Sequence, residues 1–230
     1  MLSLDDHFAD VADQLYALGD ASRVADGIAR IGCEAVGCDA AALSLVASGR
    51  RIQPAAATSP QARRAEQLQG ELGEGPGRAA AENCATVGCD ELSSETRWPL
   101  WAREADELGF RSSLAVPLHE RERVFAVLHL YSDRAGAFDA AQVSLAELLA
   151  RRSSVALAAV TRTEHLQKAM DARTVIGQAE GILMARYGLD ADTAFSVLRR
   201  YSQQGNRKLH TVAEQVVRDR DLPGLERAAS

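Results

Sequence analysis

The stretch Ser112–Ser132, SSLAVPLHERERVFAVLHLYS, contains two apolar runs separated by a charged segment at 120–123. Both runs are rich in Val, Leu, Phe and Tyr, the residue types most often found in β-strands. The Glu and Arg residues between them are typical of an exposed turn. The pattern predicts a β-hairpin, the clearest in the chain, and therefore an antiparallel sheet.

The sequence before the hairpin indicates further helices and one more strand. Apolar residues recur at helical spacing through residues 4–37, and Gly19-Asp20 interrupts them, so we expect two helices. The run AALSLVA at 41–47 is typical of a buried strand. The stretch LGEGPGRAAAE at 72–82 reads as a Gly/Pro loop that opens a short helix. An antiparallel sheet flanked by helices makes an α+β domain.

After the hairpin, the sequence from Ala137 to Ile176 contains neither glycine nor proline. Apolar residues recur in it at helix-compatible spacing, with Arg, Glu and Gln between them, which predicts a long, coiled-coil-like helix that leaves the first domain and enters a second. We expect this helix to pair with a second copy, because its apolar stripe would otherwise face solvent; packing onto the chain's own domain is the alternative. The candidate dimerisation residues are Val143, Leu148, Val155, Leu166 and Met170.

The C-terminal segment contains stop signals that divide it into three helices. Gly188 suits the left-handed end of the first helix. Asp190 suits the N-cap of a second helix, from Ala191 to about Gln204, and Asn206 the N-cap of a third. The apolar sets predict an all-α three-helix bundle: Ile176, Ala179, Leu183 and Tyr187; Ala194, Phe195, Leu198 and Tyr201; Leu209, Val212, Ala213 and Val216.

The first helix of this bundle contains two interior glycines, Gly177 and Gly181. Each interior glycine costs a helix about 1 kcal/mol relative to alanine. A helix face without side chains would let another molecule approach the backbone closely. Close packing of two helices is the alternative explanation for Gly181 and for Ala179, and for Ala179 it fits the apolar stripe.

Composition places the chain among ordinary globular proteins, with 230 residues, 47% hydrophobic and 25% charged. Residues 1–161 carry a net charge of −8 and residues 162–222 one of +2, which indicates an anionic partner near the C-terminal end. The acidic N-terminus and the lack of a long apolar run predict a cytoplasmic protein that does not interact with a membrane.

Four cysteines form two Cys-x4-Cys pairs, Cys33/Cys38 and Cys84/Cys89. The first pair straddles a predicted helix end, and cytosolic thiols are normally reduced, so we expect no metal site and small buried thiols; zinc or redox chemistry is the alternative. No nucleotide-binding loop, zinc-protease motif or catalytic triad spacing occurs, so we expect no enzyme. No lysine precedes Lys168, which excludes a phosphoryl-receiving domain.

Three stretches resemble the GAF domain of bacterial regulators: GEGPG at 73–77, RWPLWAREADELGFRSSLAVPL at 97–118 and LHLYSDRAGAF at 128–138. The likeness covers about residues 8–160. It implies a central antiparallel sheet with helices on one face and, often, a small-molecule or cofactor pocket on the other. The sequence names no cofactor, and any ligand is unknown. The candidate pocket residues, for which an ordinary place in the core is the alternative, are Trp98, Trp101, Phe110, Arg111 and His129.

The stretch RTVIGQAEGILMARYGLDADTAFSVLRRYSQQGNRKLHTVAEQVV at 173–217 is similar to the ANTAR domain, an RNA-binding antitermination module. At Glu180, however, the family commonly has lysine. The resemblance implies a dimer that binds paired hexaloop hairpins in a leader transcript and prevents a terminator from forming. RNA polymerase would be affected indirectly. The resemblance is carried by Arg173, Gln178, Ala179, Gly181, Ile182, Leu183, Met184, Ala194, Phe195, Leu198, Arg199, Leu209, Val212 and Ala213.

We expect the bare helix face to admit an unpaired base, glutamine to read base edges, and basic side chains to contact phosphates. The alternative is a transcription factor that reads duplex DNA in the manner of a helix-turn-helix protein, with residues 206–220 as its recognition helix. The candidate RNA-binding residues are Arg173, Gly177, Gln178, Gly181, Met184, Ser202, Gln203, Asn206, Arg207 and Lys208.

These signals divide the chain into four parts. We expect a GAF sensor domain at 1–138, a linking and dimerisation helix at 139–172, an ANTAR domain at 173–222 and a tail at 223–230. In this scheme the sensor domain modulates RNA binding through the linking helix.

Overall fold

The computed structural model describes residues 15–47 and 51–222. They belong to two compact units, which divide after Arg162. The first of the two helices predicted within 4–37 lies largely outside the described residues, and the predicted tail lies wholly outside them. Within the described ranges, no helix combines the length and the apolarity needed to cross a membrane.

The described part of the first unit contains an antiparallel sheet, and its strands are β1 (Ala40–Val46), β2 (Ile52–Ala57), β3 (Val87–Cys89), β4 (Ser112–Glu120) and β5 (Arg123–Ser132). Their order across the sheet is β2-β1-β5-β4-β3. The predicted hairpin is confirmed: β4 and β5 pair from Ser112 opposite Ser132 to Glu120 opposite Arg123. The sequence pattern predicts β1 but neither β2 nor β3.

The helices of this unit before the long helix are α1 (Ala21–Val36), α2 (Pro60–Leu72), α3 (Pro76–Asn83) and α4 (Pro99–Glu107). The predicted break before α1 is confirmed, because the Asp20 carboxylate accepts a hydrogen bond from the Ser22 amide at 2.7 Å and caps the helix. The other three begin with proline, whose fixed φ suits the first helical position. The sequence pattern predicts α3 but not α2 or α4.

One uninterrupted helix, α5, runs from Ala140 to Tyr187. The Asp139 carboxylate accepts from the Ala141 amide at 2.7 Å at its start. At its end, Gly188 has φ +69° and donates its N–H to Met184 O at 3.0 Å. The predicted long helix is therefore confirmed, and the predicted first helix of the bundle is its C-terminal part.

Apolar side chains cover both faces of the sheet. On one face, α1 and the N-terminal part of α5 bury residues such as Ile28 and Leu157 against Leu128 of β5. On the other face, α2 and α4 bury residues such as Trp101 against Tyr131. The helices thus lie on two faces of the sheet, whereas the resemblance implied one.

The second unit contains the end of α5, α6 (Ala191–Gln204) and α7 (Leu209–Asp219). The predicted N-cap at Asp190 is confirmed, since its carboxylate accepts from the Thr193 amide at 2.8 Å. Asn206, however, does not cap α7, which begins after Lys208. The core of this unit is formed by Ala179, Leu183, Tyr187, Ala194, Val197, Leu198, Val212, Ala213, Val216 and Leu222.

The prediction for Asn206 is wrong because this residue completes the turn after α6. It has a positive φ of +48°, and its N–H donates to Gln203 O at 3.3 Å. The next N–H, of Arg207, donates to Ser202 O at 3.0 Å. The chain therefore uses Asn206 to end α6, and α7 begins without a side-chain cap.

Candidate nucleic-acid interface

Both glycines of the second unit's α5 segment lie on an exposed helix face. A Cβ built on Gly177 or on Gly181 meets no atom of the described residues within 4 Å. Ala179, between them, is fully buried in the core of the unit. Helix packing therefore accounts for Ala179 but not for Gly181, and both glycine positions offer bare backbone to solvent.

A cavity of about 590 Å³ lies beside Gly177, and we call it the Phe195 cavity. Phe195 is the residue of α6 that lines it, and 39% of its surface is exposed. The prediction that Phe195 belongs to a buried stripe is wrong, because the buried residues of α6 are Ala194, Val197 and Leu198. The α5 lining of the cavity consists of Ala169, Ala172, Arg173, Ile176, Gly177 and Glu180.

Two charged side chains of opposite sign line the Phe195 cavity. Arg173 is exposed and Glu180 is half-buried. Within the part of the chain that the structure describes, neither side chain makes a hydrogen bond or ion pair. Both are therefore available to a molecule in the cavity, one as a hydrogen-bond donor and the other as an acceptor.

A second cavity, of about 520 Å³, contains both lysines of the chain, and we call it the two-lysine cavity. Lys168 comes from α5, and Lys208 from the segment before α7. Ala169 and Ala172 line both cavities, so they form a ridge of small residues between them. The remaining lining residues are Asp171, Val175, His210 and Glu214.

Four predicted RNA-binding residues lie at the turn between α6 and α7. The Ser202 hydroxyl donates to Arg207 O at 2.6 Å, and the Arg207 guanidinium donates to Gln215 Oε1 at 2.7 Å. Gln203 and Asn206 are exposed. The turn is thus held by its own side chains, and none of the four lines either of the two cavities.

The structure brings the predicted residues together only in part. Arg173 and Gly177 line the Phe195 cavity, and Lys208 lines the two-lysine cavity. Gln178, Gly181 and Met184 are exposed on α5 without lining either cavity. Phe195, Lys168 and His210 line the two cavities but are not among the predicted site residues. The presence of two lysines in a chain otherwise rich in arginine is a sequence signal for Lys168.

The candidate dimerisation residues fall into two groups. Val143 and Leu148 are partly buried and pack against the first unit's core. Val155, Leu166 and Met170 are 70%, 61% and 63% exposed, respectively. The first group thus contacts its own domain, and the second presents apolar side chains to solvent.

The candidate GAF pocket residues are mostly part of the core. Trp98, Trp101, Phe110 and His129 are buried, whereas Arg111 is exposed and pairs with Asp106 at 3.1 Å. None of the five lines the Phe195 cavity or the two-lysine cavity.

A buried polar network fills the interior beside these residues. The Glu66 carboxylate lies 3.0 Å from His129 Nδ1 and accepts hydrogen bonds from the Ser44 hydroxyl at 2.6 Å, the Gln69 amide at 3.2 Å and the Tyr131 hydroxyl. Burial alone would raise the pKa of Glu66, but His129 and the hydroxyl donors bring it below its ordinary value. Burial and the adjacent Glu66 raise the pKa of Tyr131.

The glycine-rich loop packs directly onto this network. The Gly77 amide donates to Gln69 Oε1 at 2.8 Å. A Cβ on Gly77 would lie 2.0 Å from His129 Cε1, and one on Gly75 would lie 2.5 Å from Gln69 Oε1. The GEGPG motif therefore allows the backbone to close over His129 and Gln69, and side chains occupy the interior.

All four cysteines are free thiols. Cys84 is exposed and lines a cavity of about 350 Å³ together with His119, Glu147 and Arg151. In the described part of the chain, no group of three or more acidic, histidine or cysteine side chains is arranged to hold a metal ion.

Comparison with protein-family models matches residues 20–158 to the GAF domain and residues 164–217 to the ANTAR domain. The two matched ranges lie on either side of the division between the units. Comparison with curated protein sequences gives no significant match.

Solved structures of several proteins have a similar fold, and some of them are GAF domains. A sensor histidine kinase domain from Sinorhizobium meliloti 1021 has a TM-score of 0.52 at 14% identity, covering 63% of this chain and 94% of its own. The GAF domain of an Acinetobacter phosphoenolpyruvate-protein phosphotransferase has 0.52 at 16%, covering 69% and 98%. The free methionine-R-sulfoxide reductase of Neisseria meningitidis has 0.52 at 18%, covering 68% and 91%. At these identities the likeness shows the fold alone.

The resemblance drawn from the sequence is thus confirmed for both parts of the chain. The matched domains are a sensory domain and an RNA-binding domain. The duplex-DNA alternative is not favoured. The chain belongs to the GAF domain family and carries an ANTAR domain after it, which makes it a two-domain regulator with an RNA-binding C-terminal part.

Proposed function

We propose that a homodimer of this chain binds paired RNA hairpins with six-base loops in a leader transcript. Binding favours the hairpins over an overlapping terminator, so that transcription continues. The GAF domain modulates the binding, RNA polymerase is affected only indirectly, and the protein acts in the cytoplasm, where nascent transcripts are made.

The two exposed glycines of α5 are the observation that carries this proposal. Gly177 and Gly181 have open space beside them, and Arg173 is exposed and unpaired among the described residues. Sequence-specific RNA recognition usually takes place at unpaired loop bases, which need close contact with a protein surface. Arginine adds an attraction to phosphate that does not depend on sequence.

A dimer matches two hairpins on one transcript. Leu166 and Met170 in the second unit and Val155 in the first present large apolar side chains to solvent, which pairing with another copy would cover. Binding of the first hairpin raises the effective concentration of the second hairpin at the other ANTAR domain. Modest affinity at each site then suffices for tight binding of the pair.

We further propose that the chain is divided as the sequence indicates, with a sensor at 1–138, a linking helix at 139–172, an ANTAR domain at 173–222 and a tail at 223–230. Apart from Asp139, the linking segment lies within the unbroken helix α5. A change in how two such segments pair would alter the spacing of the two RNA-binding faces.

The test is a titration of the purified full chain with three nucleic acids at about 0.15 M salt, near physiological ionic strength. These are a twin-hairpin RNA with six-base loops, the same RNA with one hairpin deleted, and a random duplex DNA. We expect the twin-hairpin RNA to bind most tightly. Equal or tighter binding of the duplex DNA would contradict the proposal.

A matched pair of variants locates the binding face. Gly181→Leu places a large side chain on the bare face, where a Cβ meets no neighbour, so the fold is retained. Ala141→Leu makes a similar enlargement at an exposed site near the start of the same helix. We expect only Gly181→Leu to weaken hairpin binding, and equal effects of the two would argue against this face.

A further inference from the structure

We propose that the Phe195 cavity is a nucleobase pocket selective for guanine, in which Glu180 reads the base and Phe195 stacks on it. This inference rests on the proposed function, because it assigns the base that the RNA-binding domain selects. It concerns a residue at which this chain departs from the family pattern, since lysine is common at that position.

The shape of the cavity suits one extruded base. Its volume of about 590 Å³ lies within the range of small-molecule sites. Ala169, Ala172 and Gly177 form a low wall, and Phe195 provides an exposed aromatic ring. Stacking of a base on an aromatic side chain is a large, sequence-tolerant contribution to single-strand binding. Phe195 therefore supplies affinity for any base, and selectivity has to come from polar groups.

The carboxylate of Glu180 supplies that selectivity. An ionised carboxylate has two acceptor oxygens and no donor. Guanine presents two adjacent donors on its Watson–Crick edge, N1–H and the N2 amino group, so it satisfies both oxygens at once. Adenine, cytosine and uracil each present one donor on that edge, next to an acceptor that the carboxylate repels. Among the four bases, guanine alone matches Glu180 with two hydrogen bonds.

The charges favour a base over other occupants. A phosphate would be attracted by Arg173 but repelled by Glu180, and both residues line the cavity. A second copy of the chain packed here would remove both charges from water, although neither has a partner among the described residues. Burial of unpaired charges is costly. A bound guanine leaves the Arg173 guanidinium free to contact the phosphate of the same nucleotide. It also provides two hydrogen-bond donors to the Glu180 carboxylate.

The experiment is a selection on the full chain with a twin-hairpin RNA library whose six loop positions are randomised. We expect wild type to enrich guanine at one fixed loop position. That guanine is then replaced by inosine, which lacks the N2 amino group, and by 2-aminopurine, which lacks N1–H. Each replacement is expected to weaken binding on the order of tenfold, because each removes one of two paired hydrogen bonds.

Glu180→Gln tests whether Glu180 reads the base, because a purely structural role would not change the base preference. The amide keeps one acceptor and gains one donor, which matches the N6 amino group and N1 of adenine. We expect the variant to prefer adenine at the position where wild type prefers guanine. Glu214→Gln makes the same chemical change in the two-lysine cavity and is expected to leave the preference for guanine intact.

Variants of the stacking residue separate affinity from selectivity. Phe195→Ala is expected to weaken binding of the selected RNA on the order of tenfold, and Phe195→Tyr to restore it, because the aromatic face is retained. Circular dichroism and the unfolding midpoint check that each variant folds.

Each remaining outcome counts against the inference in a distinguishable way. If wild type binds hairpins without preferring guanine, or if Glu180→Gln leaves the base preference unchanged, the pocket assignment fails and RNA binding stands. If wild type ignores hairpin RNA altogether, both fail. If the Phe195 and Glu180 variants change sedimentation of the free protein but not base preference, the cavity is an interface between copies.

Discussion

The imidazole of His129 lies 3.0 Å from the Glu66 carboxylate through Nδ1, and both side chains are completely buried. Because the other groups around Glu66 are donors and its carboxylate is held ionised, Nδ1 carries the proton and donates. Within the described ranges, His129 Nε2 has no hydrogen-bond partner. The network therefore depends on Glu66 as the common acceptor of three elements, α2, β1 and β5.

Removal of this acceptor is expected to destabilise the first unit strongly. Glu66→Ala leaves the Ser44 and Tyr131 hydroxyls and the His129 N–H buried without an acceptor, and loss of one partner in such a buried cluster costs roughly 3–5 kcal/mol. The measurement is the free energy of unfolding in urea. Glu71→Ala, on the same helix but exposed and paired with Arg64, is the control. Similar losses in both variants would contradict the account.

The loss of stability of the folded protein at low pH is expected to depend on Glu95. Hydrogen bonds from the Arg97 side chain lower the pKa of Glu95 from an ordinary value of 4.5 to about 2. A lowered folded-state pKa stabilises the fold above the unfolded-state pKa, and this contribution is lost as the pH falls from about 4.5 towards about 2. Glu95→Gln removes it.

We therefore expect the unfolding midpoint of Glu95→Gln to change less steeply than that of wild type between pH 4.5 and pH 2. Glu91→Gln, which makes the same change at a half-buried carboxylate in the same segment, is the control. An unchanged slope in Glu95→Gln would show that the Glu95–Arg97 pair does not persist in solution.

The cysteines are expected to differ sharply in reactivity. Cys84 is exposed, whereas burial, with further contributions from Glu95, raises the pKa of Cys89 to about 12. Burial also raises the pKa values of Cys33 and Cys38. Thiolates are the reactive form, so iodoacetamide at about pH 8 should modify Cys84 first in the folded protein. Peptide mass spectrometry reads the order of modification, and early labelling of Cys89 would contradict it.

The features most readily predicted from the sequence are those that depend on residues close together in the chain. The hairpin at 112–132 and the ends of α1 and α6 follow from strand composition and from capping by Asp20 and Asp190. Other parts depend on distant neighbours. The α2 sequence looks like a surface helix, and burial of Glu66 becomes intelligible only when His129, far away in the sequence, is brought beside it.

The sequence predicts the candidate RNA-binding site only in part. The glycines of α5 are recognisable in the sequence because glycine is unfavourable inside a helix. Their exposure follows from the burial of Ala179, which lies between them. Phe195 did not stand out, because a helical pattern cannot tell an aromatic residue at the edge of a buried face from one at its centre. Nor could spacing place Glu180 and Phe195, from different helices, in one cavity.

A last prediction compares the same substitution at two helical glycines with opposite surroundings. Gly77 lies in α3, where a Cβ would be 2.0 Å from His129 Cε1, and Gly177 lies in α5, where a Cβ meets no neighbour. Gly77→Ala should destabilise the protein by about 1–3 kcal/mol through overpacking. Gly177→Ala should stabilise it by up to about 1 kcal/mol, because alanine favours the helix.

The same Gly177→Ala variant is expected to bind twin-hairpin RNA more weakly although it is more stable, because its methyl group intrudes on the Phe195 cavity. Urea unfolding gives the stability and an RNA titration gives the affinity. A glycine retained for function should show this trade-off, because it lowers the stability of the helix but lets a ligand approach the backbone. If Gly177→Ala is more stable and binds the RNA with unchanged affinity, Gly177 does not contribute to RNA binding.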